Sequence, residues 1–294
     1  MRRTPLALIP VAAALLLSAC ANSTGTTSSS AAAPSGSGSG SASATCSPST
    51  LKTYTAGKFT AATGSPAYSP WVIDDKPESG KGFESAVIYA VAEKLGYSAS
   101  DVVWIRTTFD SAIAPGPKKF DVNIQQYTIT DDRKKAVDFS SGYYDLQQAV
   151  VTYKGSPIEK ATTVAELKGA KLGAAVGTTS LDAITNTIQP TTQAKVYNSN
   201  DDAVSALKAK QIDGLVVDLP TAFYIAFGEL TNGVLVGQLA NSASGTEQLG
   251  MVLQKNSPLT TCVTQAVDAL KADGTLQKLQ DQWLSASAGA PVLK

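Results

Sequence analysis

The stretch QYTITDDRKKAVDFSSGYY, Gln126–Tyr144, follows a strand-like apolar run at Phe120–Ile124. It sets Thr128 and Thr130 before an acidic pair, Asp131 and Asp132, and then Arg133. Val137-Asp138-Phe139 comes next, then a Ser/Gly turn, then Tyr143 and Tyr144. A guanidinium carries a planar fork of N–H donors that meets both oxygens of a carboxylate, which an ammonium cannot do. Taken alone, however, an arginine beside Asp131, Asp132, Lys134 and Lys135 reads as a solvated surface charge.

Working upstream, Lys58–Thr63 reads as a strand, followed by a loop, Gly64–Trp71, rich in Gly, Pro and aromatics. Phe83, Val87, Ala90, Val91 and Leu95 recur at helical spacing, and Gly96 is placed to end that helix. Val102–Arg106 is a second strand, Ser111–Ala114 a short helix stopped by Pro115 and Pro117, and Phe120–Gln125 a third strand. Downstream, strands are expected at Gln148–Tyr153, Lys171–Val176, Lys195–Tyr197 and Ile212–Val217. Helices are expected at Thr163–Leu167, Leu181–Ile188, Asp201–Lys210 and Phe223–Leu230, with two more at Leu259–Ala272 and Thr275–Leu284. The alternation of strand and helix is that of an α/β protein.

Charge and composition exclude several functions. Lys plus Arg number 24 and Asp plus Glu 24, so the net charge is zero, and no basic block offers a nucleic-acid surface. The chain has no histidine. Ser-His-Asp and Cys-His catalysis and the usual His-bearing zinc sites are therefore ruled out. No cofactor or metal is expected.

The N-terminus reads as a targeting segment. Arg2 and Arg3 precede an apolar run, Leu6–Leu17, too short to span a bilayer. LSAC, ending at Cys20, matches the lipobox of bacterial lipoproteins, whose cysteine takes the lipid. A secretory signal followed by a free cysteine is the alternative. Residues 21–45 are almost wholly Ser, Thr, Gly and Ala. They read as a flexible tether with a reach of roughly 25–30 Å. Cys46 and Cys262 are left over, and outside the cell such a pair more often bonds than stays free. Two buried thiols are the alternative.

Gln126–Tyr144 resembles the segment by which amino-acid-binding proteins of bacterial ABC importers (extracellular solute-binding proteins of family 3, glutamine-binding type) grip a ligand's α-carboxylate. KGFESAVIYAVAEKLGY, Lys81–Tyr97, is similar to that family's signature helix, with Glu84 at its first acid and Ala86 in place of its second. KADGTLQKLQDQWL, Lys271–Leu284, is similar to its C-terminal motif. The likeness runs from about Leu51 to Leu284. It implies a two-lobed type II periplasmic-binding-protein fold with a hinge of two crossing strands. One lobe would take residues 46–145 and 247–294, the other 146–246.

The resemblance also implies the site. Arg133 would bind the ligand carboxylate, with Thr128 from the same motif beside it. Gln126 stands where glycine is usual and would offer its carbonyl to the ammonium, though its side chain could intrude on the pocket. Thr178 and Thr179, in GTTS between a strand and a helix start, would donate to the carboxylate, and Ser180 would cap the helix. Asp218, at the end of a buried strand, would take the ammonium. Tyr68 and Phe109 would sandwich the side chain. Core packing stays open for Trp71, and dipole complementation for Glu84.

With the lipobox, the resemblance implies a lipid-anchored, monomeric binding protein on the periplasmic side of the cytoplasmic membrane. It would do no chemistry and would serve a membrane permease. The ligand's own charges use Arg133 and Asp218, and Gly64, Ala175 and Val176 stand where related sites carry further charges. Arg106 is the nearest spare cation. A neutral side chain is therefore expected. The rivals are a dehydratase-like enzyme, needing Glu84 or Asp74 as its general acid, and a sensor ectodomain.

Overall fold

The structure, a computed structural model, describes residues 46–240 and 246–294. The signal segment ending at Cys20 and the tether over 21–45 lie outside the described residues. Along the chain come β1 (Phe59–Thr63), α1 (Phe83–Lys94), β2 (Val102–Arg106), α2 (Phe109–Ile113), β3 (Val122–Asn123), α3 (Asp131–Ala136) and β4 (Val137–Phe139). β5 (Tyr144–Leu146) leads into β6 (Gln148–Tyr153), β7 (Leu172–Ala175), α4 (Thr179–Asp182), β8 (Lys195–Tyr197), α5 (Asn200–Lys208), β9 (Gly214–Asp218), α6 (Leu219–Tyr224) and β10 (Gly233–Leu239). The chain returns through β11 (Glu247–Leu249) and β12 (Val252–Gln254) to α7 (Thr260–Ala272), α8 (Thr275–Trp283) and β13 (Val292–Leu293).

Two sheets divide these strands. The first has five, in the order β2-β1-β3-β12-β4. β1 runs parallel to β2 and β3, while β12 is antiparallel to β3 and β4. β1 is buried along its whole length, as a strand covered on both faces must be. On α1, Phe83, Val87, Ile88 and Val91 are fully buried and pack with Val263 and Val267 of α7. The helix ends as its glycine predicts: Gly96 takes a φ of 85°, and the Tyr97 N–H returns to the Ala92 carbonyl at 2.9 Å. Gly82 has a φ of 102°, and a Cβ there would lie 2.4 Å from the Trp71 carbonyl oxygen, so only glycine fits.

The second sheet has six strands, β13-β10-β6-β9-β7-β8. Its faces follow the two-residue period of a strand. Ala149, Val151, Leu215 and Val217 pack with α5 and α6 on one side. Val150, Val216, Leu172 and Ala174 pack with Ile184 on the other. The chain passes between the sheets through β5 and β11, which pair antiparallel as a ribbon of their own, and a third time from α8 to β13. The ribbon is the expected hinge.

Three features depart from the sequence reading. β5, β10 and β11 are strands where the sequence pattern predicts none. The C-terminal residues do not stay with the first sheet: β13 adds parallel to β10, and Lys294 exchanges backbone bonds with Thr162 and Val164 at 3.1 and 2.9 Å. The helix expected at Phe223–Leu230 begins earlier, at Leu219, and continues as a wider turn over Ile225–Glu229. Cys46 and Cys262 form a disulfide that staples the start of the described chain to α7.

Candidate functional site

A cavity of about 260 Å³ lies between the sheets. All of the ligand residues nominated from sequence line it: Tyr68, Phe109, Gln126, Thr128 and Arg133 from the first side, and Thr178, Thr179 and Asp218 from the second. The strand order explains the convergence. β1, β2 and β3 end on the cleft, as do β7 and β9, and loops at strand C-termini are where open α/β sheets bind ligands.

Arg133 is not the solvated charge its neighbours suggest. Lys134 and Lys135 pair with Asp131 and Asp132 at the surface. Arg133 turns inward because the Thr130 hydroxyl caps α3, accepting the Arg133 N–H at 3.2 Å. Its Nη1 donates to the Thr128 carbonyl at 2.7 Å, and its Nη2 to the Gly177 carbonyl, across the cleft, at 2.9 Å. The guanidinium lies 5.4 Å from the Phe109 ring centre, and Phe109 stacks on the buried Tyr127 at 4.6 Å. Burial lowers the guanidinium pKa from its ordinary value. Donors remain on the fork for a carboxylate.

Asp218 closes β9 on the opposite wall. Burial first, then the nearby Glu247 charge, push its carboxyl up to about 7, against the pull of its Gln148 hydrogen bond and of Arg133. Gln148 faces Asp218 in the strand register and organises this wall. Its Nε2 donates to Asp218 at 3.0 Å and to the Thr179 hydroxyl at 3.3 Å, while its Oε1 accepts from Ser180 at 2.6 Å. The helix cap expected of Ser180 therefore falls to Thr178, which accepts from the Leu181 N–H at 3.3 Å. Ser180 is withdrawn from that role because Gln148 engages its hydroxyl.

The structure adds to three further expectations. Gln126 lines the cavity with a φ of 51°, and its side-chain amide turns to Glu84. Glu84 stands in the first turn of α1 and is fully buried, and burial pushes it up to about 7. Arg106 is not spare: it donates to Asp75 Oδ1 at 2.5 Å and to the Gly64 carbonyl at 2.6 Å, outside the cavity lining. Trp71 is core, with no exposure, yet its indole N–H donates to Thr221 Oγ1 on the other side at 2.8 Å. Burial and the Asp201 carboxylate hold the Tyr68 phenol well above its ordinary pKa.

Residues 62–286 match the sequence pattern of bacterial extracellular solute-binding proteins, family 3. The chain belongs to that family. The L-cystine-binding protein TcyJ of Escherichia coli K12 is 29% identical over 221 residues, covering 74% of this chain and 80% of that protein. An L-arginine-binding protein of Pseudomonas aeruginosa is 28% identical over 241 residues, covering 80% and 91%. Among solved structures, an ancestral arginine-binding protein, bound to glutamine in one and to arginine in another, superposes with a TM-score of 0.63 at 30% identity, covering 77% of this chain and 97% of that one. These relatives are binding proteins.

As a member of this family the chain has the expected two-lobed type II architecture. Its lobes touch through Trp71 and Thr221, through Arg133 and Gly177, and through the hydroxyls of Thr128 and Thr179 at 3.1 Å. Glu84 and Asp74, the two acids considered as general acids, both lie outside the cavity lining. Among the described residues no cluster of His, Cys, Asp and Glu is placed to hold a metal, and no helix is long and apolar enough to cross a membrane.

Proposed function

We propose that this protein captures a free α-amino acid between its lobes, outside the cytoplasmic membrane, and delivers it to the permease of an ABC importer. One observation carries the reading: a cation on one lobe, Arg133, and an anion on the other, Asp218, line the same small cavity. A zwitterion satisfies both ends and bridges the lobes, so it favours the closed arrangement. The protein acts by binding alone, as a monomer. Cys20 carries the lipid that holds it to the membrane, and phase partition into detergent should be lost in Cys20→Ser.

The ligand's side chain is neutral. Arg133 is the cation of the lining, and Arg106 is committed to Asp75. An acidic side chain would thus be buried without a partner, which costs several kcal/mol. Gln125, Asn198 and Asn200 supply neutral polar surface near Tyr68 and Phe109. The further acid of the lining, Asp110, is exposed and stays solvated. A thermal-shift and calorimetry panel of glutamine, asparagine, glutamate, arginine and leucine tests this. Tightest binding to arginine would replace the neutral reading and bring Asp110 into the site. Binding of no amino acid would sink the transport reading.

A further inference from the structure

Glu84 forms no part of the cavity wall, yet it is fully buried and its carboxylate is committed to residues that build the site and the hinge. Its Oε1 accepts the Gln126 backbone N–H at 2.8 Å and the Tyr143 hydroxyl at 2.5 Å. Its Oε2 accepts from the Gln126 side-chain amide. The N–H and the amide are obligate donors, so an acceptor-only carboxylate suits the place. Gln126 needs such a partner. At a φ of 51° it occupies the left-handed region, which L side chains disfavour and glycine enters freely. Gln126 and Thr128 both line the cavity, and Tyr143 directly precedes β5 of the hinge ribbon.

We propose that Glu84 is a positioning residue of the amino-acid site: its carboxylate clamps Gln126 in the left-handed conformation that sets the Gln126–Thr128 wall against the ligand, and joins that wall to the hinge through Tyr143. The idea rests on the amino-acid reading above. A buried acid that merely helped the lobe to fold would stabilise the protein without shaping the wall. The two roles separate at residue 126, because glycine there enters the left-handed conformation without steric cost and so has less need of a clamp.

The test compares Glu84→Ala, Gln126→Gly and their double variant by calorimetry, with L-glutamine and L-arginine as probes and the tighter of the two scored. Glu84→Ala is expected to weaken binding about tenfold or more, the scale of losing hydrogen bonds to a charged acceptor. Adding Gln126→Gly is expected to restore affinity to within about threefold of Gln126→Gly alone. Binding within about twofold of the parent in Glu84→Ala, or a double variant as weak as Glu84→Ala, overturns the proposal. Should Glu84→Ala fail to fold, Glu84→Met, which keeps the side-chain volume without the carboxylate, carries the same comparison. Hydrogen exchange at the Gln126 amide in ligand-free protein is independent of the amino-acid reading. Exchange about tenfold faster in the Glu84 variant supports the clamp; unchanged exchange overturns it, whatever the binding results. Failure of the parent to bind any amino acid would count against the transport reading, and the exchange result would still decide the clamp.

Discussion

The two walls of the cleft hold their ions in different ways. The first wall is built from main chain: Arg133 is aimed by the Thr128 carbonyl and an aromatic face, with the Gly177 carbonyl of the opposite wall as its second acceptor, and Gln126 by a strained backbone. The second is built from side chains: Asp218, Thr179 and Ser180 all converge on the amide of Gln148. The cation of the first wall stays charged at any ordinary pH, whereas the anion of the second titrates near neutrality. Shape should therefore be the sensitive property of the first wall, and protonation that of the second.

The largest expected effect lies on the first wall. Arg133→Ala should weaken amino-acid binding by about 2–5 kcal/mol, the cost of leaving a buried partner unpaired. Asp218→Asn, which can keep its bond to Gln148, should fall at the lower end of that range. Calorimetry giving near-normal affinity in either variant would remove that residue from the site. A similar magnitude is expected for stability when the first lobe loses its staple. Cys46→Ser with Cys262→Ser should lower the unfolding free energy by about 2–5 kcal/mol in denaturant titration, with the affinity of the folded fraction unchanged.

The pH dependence sharpens the contrast. In the proposed site only ionised Asp218 receives an ammonium, so affinity should fall about tenfold from pH 8 to pH 6, and Asp218→Asn should make that profile shallower, leaving the share that Glu84 carries. Ligand-free stability should move in the opposite sense. Asp218 and Glu84 are raised from ordinary values of 3.8 and 4.5 to about 7. Their contribution to stability is complete below those ordinary values and is lost as pH rises through 7. Melting scans from pH 5 to 8 without ligand should show the decline; a rise due to these groups would contradict their burial. The smallest effect is at the helix start: Thr178→Ala should cost about 1 kcal/mol through the lost cap, and Ser180→Ala should act instead through Gln148 and the affinity.

What could be read from the sequence divides along physical lines. Strands β2, β6 and β8 carry their own apolar or β-branched pattern, and their boundaries coincide with those expected. β10 and β13 do not, because glycines interrupt the one, the other is only two residues long, and each is decided by a distant neighbour. In the site, Arg133 and Asp218 stand in ordered motifs. Gln148 was missed, although an amide opening a buried strand was the available signal. The commitment of Arg106 to Asp75 was not legible, since a loop's return path is set by packing rather than by local pattern.

The disulfide has a consequence for how the protein is made. Cys46 and Cys262 are 216 residues apart, and β12, which sits between β3 and β4 in the first sheet, is also late in the chain. A growing chain emerges N-terminus first, so the first sheet waits, with the place between β3 and β4 unfilled, while the second lobe is synthesised. The second sheet in turn lacks an edge until β13 arrives. Neither lobe is complete on its own, and joining Cys46 to Cys262 belongs to the last stage of assembly.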